Sequence, residues 1–285
     1  MQILKKLVQL PKTRLVRLAA VALQTASLLT LGLVATPQVA QAQITNWQGS
    51  GGKNVTMVDR NYSYHVWTSN GFSGSGYVQS KTNENQCYMS WNTVSGGWQG
   101  TKGYFSSQGQ MWYPRISQMS LASGRGVASF SQSTTVQSGS ASSQIWTGVM
   151  GWFINSGTYP KVEYYIVENL DRGPLAISSS AKVGSAVIDG AAYDLYTKMV
   201  SPAGSTPWRQ WWSVRRSGRT TGAVNYVKHF KAWQGVTVAG VSSLSNTSTN
   251  KLPDLSLSHV MLGAESNGTC KASIWWATSS ITKPY

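Results

Sequence analysis

The chain has 285 residues, and its 24 lysines and arginines against nine aspartates and glutamates give a formal charge of +15. A length of this order fits one large all-β domain at least as well as two small domains. The basic residues are scattered, and no run of them resembles a phosphate-binding helix. Because of this scatter we expect no nucleic-acid partner. The charge by itself decides nothing, since an exported protein that meets a neutral or acidic polysaccharide is at least as consistent with it.

The first 42 residues have the pattern of a signal peptide. A basic segment that ends at Arg17 precedes an apolar run over residues 18–35, and the residues Ala-Gln-Ala at 40–42 form a small-x-small cleavage pattern. The alternative is an uncleaved membrane anchor, but the run is barely long enough to span a bilayer and contains the polar residues Gln24, Thr25 and Ser27. We expect cleavage after Ala42, no membrane partner, and a secreted protein whose residues 43–285 form a single domain.

From about residue 47 the sequence is typical of an all-β protein, rich in glycine, serine and threonine and poor in charge. Short stretches of alternating side chains are separated by glycine, serine and asparagine turns. They predict strands at 62–67, 86–91, 127–132, 143–153, 161–169, 191–198, 209–216 and 270–276. Strands at such short intervals favour two packed antiparallel sheets, as in a β-sandwich or jelly roll.

One segment has helical periodicity. Residues 222–235 place Val224, Val227 and Phe230 at helical spacing, and Gly235 stands where a C-terminal cap glycine belongs. We therefore expect a single helix packed behind one sheet. After it, residues 241–258 are predicted to form a loop that leads into a strand.

The chain contains thirteen tryptophans, more than a core of this size normally needs. Core packing accounts for about half of them, and the surplus predicts an aromatic groove on one sheet, because the C–H faces of pyranose rings stack on indole and phenol rings. The expected partner is therefore a polysaccharide. The two cysteines, Cys87 and Cys270, fit a disulfide in an oxidising compartment or two buried free thiols, because sequence spacing does not fix their distance.

Two glutamates lie in one apolar and aromatic run, residues 161–169. Side chains alternate along a strand, so Glu163 and Tyr165 share one face and Glu168 lies on the other. Only Glu163 can then line the groove, and Glu168 is expected to be structural. The catalytic partner of Glu163 must come from elsewhere, and Glu265 fits because it lies between an apolar and an aromatic strand, where burial raises a carboxyl pKa.

A retaining glycosidase needs two carboxyls about 5–5.5 Å apart in opposite protonation states. Glu163 and Glu265 meet the requirement for two groove carboxyls. The alternative is that each is an ion-paired glutamate with Arg215 or Arg216 as its partner. The histidines lack metal-ligand spacing, and no Gly-x-Ser-x-Gly elbow or phosphate-binding glycine loop is found, so we expect no metal and no cofactor.

The sequence VEYYIVEN at residues 162–169 resembles the nucleophile motif of glycoside hydrolase family 11, the endo-β-1,4-xylanases. Residues 211–233 are similar to the strand and single helix of that family, and the resemblance extends over roughly residues 62–276. It implies a β-jelly roll, hydrolysis of internal xylan linkages with retention, no cofactor, and Glu163 as nucleophile with Glu265 as acid/base. We expect a monomer. The groove residues that the resemblance implies are Trp67, Trp152, Tyr165 and Gln210.

The chain departs from the family pattern beside the nucleophile. Met150 stands where the family has a tyrosine that supports the nucleophile, and an insertion at 156–159 brings Tyr159 as a substitute phenol. The loop that clamps the substrate is shortened to residues 201–209, and Val200 replaces an arginine before it.

Near the acid/base, the resemblance places Gly97 where the family has the asparagine or aspartate that tunes its pKa, and His259 replaces a groove tyrosine. The changes at Met150, at Val200 and in the shortened loop favour an alternative function, a non-catalytic or weakly active carbohydrate-binding protein on the same jelly roll.

Overall fold

Two β-sheets account for most of the described chain. The structure is a computed structural model that describes residues 44–81, 83–154, 161–175, 177–204, 206–235 and 251–285, with the backbone alone at 44–49. The predicted signal peptide at 1–42 and the insertion at 156–159 lie outside these ranges.

The described residues form fifteen strands and one α-helix. The helix is α1 (Tyr226–Trp233), and short 3-10 turns lie at Ser106–Gln108, Ile116–Gln118 and Ser179–Ala181. The strands are β1 (Ile44–Ser50), β2 (Lys53–Asp59), β3 (Tyr62–Thr68), β4 (Ser73–Ser80), β5 (Cys87–Ser95), β6 (Gly97–Phe105), β7 (Val127–Gly139), β8 (Gln144–Ile154), β9 (Val162–Arg172), β10 (Lys182–Ile188), β11 (Ala191–Val200), β12 (Trp208–Arg215), β13 (Thr221–Asn225), β14 (Ser256–Asn267) and β15 (Cys270–Ile281).

The strands form a six-stranded sheet in the order β1-β4-β5-β15-β7-β13 and a nine-stranded sheet in the order β10-β11-β12-β9-β8-β14-β6-β3-β2. The predicted all-β jelly roll with one helix is confirmed. The sheets are not wholly antiparallel, because β9 and β12 pair in parallel. Since β10, β11 and β12 are joined by antiparallel pairings, β12 runs in the direction of β10, and β9 runs the same way.

The main core lies between the two sheets. Along β9, Tyr164 and Ile166 are fully buried in this core, and Trp91 of β5 stacks on Trp98 of β6 with ring centroids 4.6 Å apart. Burial of each such side chain stabilises the fold by roughly 1.5–3 kcal/mol. A second apolar cluster covers the opposite face of the nine-stranded sheet and contains Phe105, Trp146, Met150, Tyr165, Val167, Trp212 and Met261. We call this second cluster the groove floor.

The helix is shorter than the sequence predicts. Residues 221–225 form β13, in which Ala223 pairs with Ser129 of β7, so α1 begins at Tyr226 and the prediction of helix from Gly222 was wrong. Pairing with a neighbouring strand outweighs the local helical periodicity here. Asn225 caps α1 by accepting a hydrogen bond from the Lys228 backbone N–H at 3.1 Å. Within the described part of the chain, no helix has the length and apolar character needed to cross a membrane.

All eight predicted strands are present, and the strand expected after the loop at 241–258 is β14. The sequence analysis missed β1, β2, β4, β6, β10 and β13. The sequence of β6, GWQGTKGYF, explains why, because three glycines break the alternation of large and small side chains. Glycine is required on this strand. A Cβ at Gly103 would lie 2.1 Å from the Val260 carbonyl oxygen of the neighbouring strand, so the two backbones could not approach as they do.

The two cysteines are free and buried. In the pairing of β5 with β15, Cys87 lies opposite Trp276 and Cys270 lies opposite Thr93. Six positions along β5 therefore separate the cysteines, a distance of about 20 Å at the usual rise of a strand. A disulfide needs Cα atoms within about 7 Å, so the alternative of two buried thiols is the one the fold adopts.

Candidate active site

The candidate site lies on the face of the nine-stranded sheet that carries the groove floor. Glu163 is on β9 and Glu265 is on β14, and β8 runs between these two strands. Across β8, Glu163 pairs with Trp152 and Glu265 pairs with Trp146. Two glutamates about a hundred residues apart in sequence thus lie on adjacent parts of one surface.

Glu163 accepts three hydrogen bonds, although only 9% of the residue is exposed. The Tyr165 hydroxyl donates to Oε1 at 2.5 Å. The Gln210 amide nitrogen and the Trp208 indole nitrogen donate to Oε2 at 2.6 and 2.8 Å. Three donors stabilise the ionised form of a carboxyl group, which is the form that a nucleophile needs.

The donors to Glu163 are themselves fixed by stacked rings. Tyr165 stacks on Trp212 with ring centroids 3.8 Å apart, and Trp146 packs edge-on against Tyr165 at 5.1 Å. The Trp212 indole donates to Gln210 Oε1 at 3.3 Å, which orients the Gln210 amide so that its nitrogen points toward Glu163. The groove floor therefore positions the Glu163 side chain as well as covering the sheet.

Opposing effects act on the pKa of Glu163. Burial is the largest and raises the pKa above its usual value, while the hydrogen bonds from Tyr165, Gln210 and Trp208 act against it and lower the pKa. Lys198 lowers it further through its positive charge. The net effect is a pKa of Glu163 above its usual value.

Glu265 is half-buried and has fewer donors than Glu163. Gln99 of β6 donates to Oε2 at 3.1 Å, and Asn267, two positions along β14, donates to Oε1 at 3.2 Å. Burial and the negative charge of Glu163 raise the pKa of Glu265 to about 7. Below about pH 7, Glu265 therefore carries a proton.

The residue beside Glu265 is not the one that the resemblance implied. Gly97 pairs with Asn267, whereas Gln99 lies directly opposite Glu265 and donates to it. The assignment of Gly97 was wrong by two positions, because the register of the glycine-rich β6 cannot be read from its sequence. Gln99 also interacts with the Tyr165 hydroxyl, so polar contacts join the two glutamates through Tyr165 and Gln99.

Lys198 is a cation near both carboxyls. It lies on β11 opposite Gln210, and its ammonium group is 5.5 Å from the centroid of the Trp212 ring. Its charge lowers the pKa of Glu163 and of Glu265. Val200 stands where the family has an arginine. Lys198 lies two residues earlier on the same face of the strand, so a positive charge is still present on that face.

The two predicted groove tryptophans lie at different ends of the site. Trp67 of β3 is opposite Gln99 and is 37% exposed, which leaves its ring free to contact a ligand. Trp152 is opposite Glu163 and lies beside Trp208, with ring centroids 5.8 Å apart. Tyr165 and Gln210, the other two predicted groove residues, instead donate hydrogen bonds directly to Glu163.

Glu168 faces the other way. Its side chain is fully buried and is bound by the Tyr193 hydroxyl at 2.6 Å and the Arg219 Nε at 2.5 Å, with Arg215 at 3.8 Å. The ion-paired alternative therefore describes Glu168 and not Glu163. Of the arginines named from the sequence, Arg215 is a partner of Glu168, whereas Arg216 binds Asp194 at 2.7 Å.

Met150 lies opposite Tyr165 on β8 and is buried in the groove floor, so it donates nothing to Glu163. Tyr159, the predicted substitute, lies outside the described residues. Trp208 supplies a donor to Glu163 that sequence reasoning missed. Strand alternation could have found Trp208 and Asn267, because each is two positions from a recognised residue, Gln210 or Glu265, and so shares its face.

Comparison with known protein families matches residues 59–244 to the family described as "Glycosyl hydrolases family 11". The chain belongs to this family. A family 11 relative, the "Endo-1,4-beta-xylanase 11A" of Botryotinia fuckeliana, is 33% identical over 188 residues, which cover 64% of this chain and 69% of that protein. The "Ethylene-inducing xylanase" of Penicillium digitatum is 38% identical over 120 residues, which cover 40% of this chain and 53% of that protein.

The family 11 fold is also found among solved structures. The family 11 xylanase from Neocallimastix patriciarum superposes with a TM-score of 0.62, covering 84% of this chain and 99% of that one. Its sequence identity is 23%, so this similarity concerns the fold.

Proposed function

We propose that this family 11 protein is an endo-1,4-β-xylanase that cleaves internal linkages of xylan with retention of configuration. The named relatives support xylan as the substrate. The chemistry is supported by one observation, the different surroundings of two groove glutamates. Glu163 accepts three hydrogen bonds, while burial and the Glu163 charge raise the pKa of Glu265 to about 7.

In the first step, Glu163 attacks the anomeric carbon as the glycosidic bond breaks. The bonding electron pair moves to the leaving oxygen, which takes the proton of Glu265. Below about pH 7 Glu265 holds that proton, so the acid is ready at the moment of attack. The products are the shortened glycan and a glycosyl ester of Glu163.

The second step uses Glu265 as a base. Esterification removes the negative charge of Glu163, and that charge is one of the effects that raise the pKa of Glu265. The pKa of Glu265 therefore falls in the intermediate, and its carboxylate accepts a proton from water that attacks the anomeric carbon. The bond between that carbon and Glu163 breaks, and its electron pair returns to the Glu163 carboxylate. Two displacements on opposite faces of the sugar carbon retain the configuration.

We also propose that the protein is secreted after removal of residues 1–42 and that it acts as a monomer. The basic segment, apolar run and cleavage pattern support export.

Hydrolysis of a panel of glycans tests the proposed function. We expect reducing-sugar release from xylan to exceed release from mixed-linkage glucan and carboxymethylcellulose. Glu163→Gln should lower turnover of xylan at least about 1,000-fold, because it removes the nucleophile while keeping the shape of the side chain.

Glu168→Gln is the matched control, because it makes the same change on the same strand at the face away from the groove. Its turnover per folded molecule should stay close to that of the unchanged protein. Binding of xylan without release of sugar would support the carbohydrate-binding alternative instead, and full activity of Glu163→Gln would exclude Glu163 as nucleophile.

A further inference from the structure

We propose that Trp208 is a positioning residue for the nucleophile, and that Trp208 and Gln210 together occupy Oε2 of Glu163 so that Oε1 is the atom that attacks the sugar. The part of this inference that concerns attack on the sugar rests on the proposed function. The arrangement of donors around Glu163 is independent of any substrate.

The two oxygens of Glu163 are not equivalent. A carboxylate offers about four lone-pair positions, two on each oxygen. Oε2 accepts from both the Gln210 amide and the Trp208 indole, at 2.6 and 2.8 Å, so both of its positions are in use. Oε1 accepts one hydrogen bond, from the Tyr165 hydroxyl at 2.5 Å. The free lone pair for bond formation is therefore on Oε1.

The position of Trp208 in the site is set by strand β12 and by the neighbouring ring of Trp152. It is the first residue of β12 and shares a strand face with Gln210, so both donors approach Glu163 from the same side. Its half-buried ring lies beside Trp152, with centroids 5.8 Å apart, and Trp152 is the cross-strand partner of Glu163 on β8. The carboxylate is thus flanked by an indole on each neighbouring strand.

The donor from Trp208 compensates for a residue that cannot donate. Met150 lies opposite Tyr165 on β8, and its thioether has no proton to share. Without Trp208, the described contacts would leave Glu163 with two donors in a buried position, and burial favours its protonated, unreactive form.

The charge on Oε2 changes between the two steps of the reaction. When Oε1 bonds to the anomeric carbon, Oε2 becomes the carbonyl oxygen of the ester. In the second displacement the C1–Oε1 bond breaks, its electron pair returns to Glu163, and the proton of the attacking water goes to Glu265. Negative charge then reappears on the carboxylate, where the Trp208 N–H stabilises it, so loss of this donor should slow deglycosylation more than glycosylation.

Trp208→Phe tests the proposal, because it removes the N–H and keeps an aromatic ring. The acidic limb of kcat/KM should move to higher pH, since a donor that lowers the pKa of Glu163 is lost. With an aryl xylobioside, deglycosylation should slow by about 10- to 100-fold, which is seen as a larger pre-steady-state burst. Trp275→Phe, on β15 of the other sheet, is the control and should leave the acidic limb unmoved. A folded Trp208→Phe variant with an unchanged acidic limb and burst would overturn the proposal.

An NMR titration of the unaltered chain tests whether Trp208 donates to Glu163. It does so even if Trp208→Phe does not fold or no glycan is cleaved. With ¹⁵N-labelled tryptophan, we expect one indole N–H signal to shift with the ionisation of Glu163, and the shift to vanish in Glu163→Gln. If no indole signal responds to Glu163, Trp208 is not its donor and the proposal fails. Absence of hydrolysis with this titration intact would instead count against the proposed function.

Discussion

At the scale of single residues, the two groove glutamates differ because their neighbours differ. Glu163 has three strong donors, and Glu265 has two longer contacts and a negative charge nearby. The proposed mechanism needs Glu163 ionised and Glu265 protonated. Activity should therefore rise with pH as Glu163 ionises, at a pKa raised above its usual value, and fall as pH passes about 7, where Glu265 loses its proton.

Asn267→Ala should move the basic limb of this profile to higher pH. Asn267 is exposed and donates to Glu265 Oε1, which stabilises the ionised carboxyl and lowers its pKa. Without that donor, Glu265 keeps its proton at higher pH, so activity is lost later as pH rises. The measurement is kcat/KM on xylan across pH, with Asn92→Ala on β5 as an exposed control in the other sheet. A basic limb that stays in place or moves to lower pH would show that Asn267 does not tune Glu265.

Part of the site follows from local sequence. Strand alternation alone puts Glu163 and Tyr165 on the groove face and sends Glu168 to the core, and both placements hold in the structure. Gln99 and Lys198 could not be found in this way. They reach the glutamates from other strands, and the register between strands depends on pairings that a single sequence does not display.

At the scale of elements, the strands with large alternating side chains were predicted and the glycine-rich ones were not. The start of the helix could not be predicted from periodicity either. The helical pattern continues back into β13, where pairing with β7 decides the conformation. What ends β13 and starts α1 is Asn225, whose side chain caps the first turn.

Asn225→Ala should therefore lower the free energy of unfolding by about 1 kcal/mol, the usual cost of losing a helix cap. For a domain of this size the melting temperature should fall by about 2–4 °C. Urea unfolding followed by circular dichroism measures the change, and turnover per folded molecule should be unaffected, because α1 lies away from the groove floor. A stability within experimental error of the parent protein would mean that the cap contributes nothing.

At the scale of the whole molecule, the fold class could be read from composition and alternation, whereas the strand order could not. The nine-stranded sheet places β14 next to β8, and β8 next to β9, although five other described strands, β9 to β13, and α1 lie between β8 and β14 in the chain. Only this order brings Glu265 near Glu163. From the sequence, the two glutamates were assigned to one site by a family resemblance. The strand order explains physically why they lie near each other.

Time-resolved ¹H NMR of xylohexaose cleavage tests the central claim most directly, because it reports cleavage, its position and its stereochemistry together. We expect internal cleavage with the β-anomer of the new reducing end appearing first and the α-anomer following by mutarotation. Initial appearance of the α-anomer, or no cleavage by the folded protein, would contradict the assignment of Glu163 and Glu265 as the nucleophile and acid/base of a retaining xylanase.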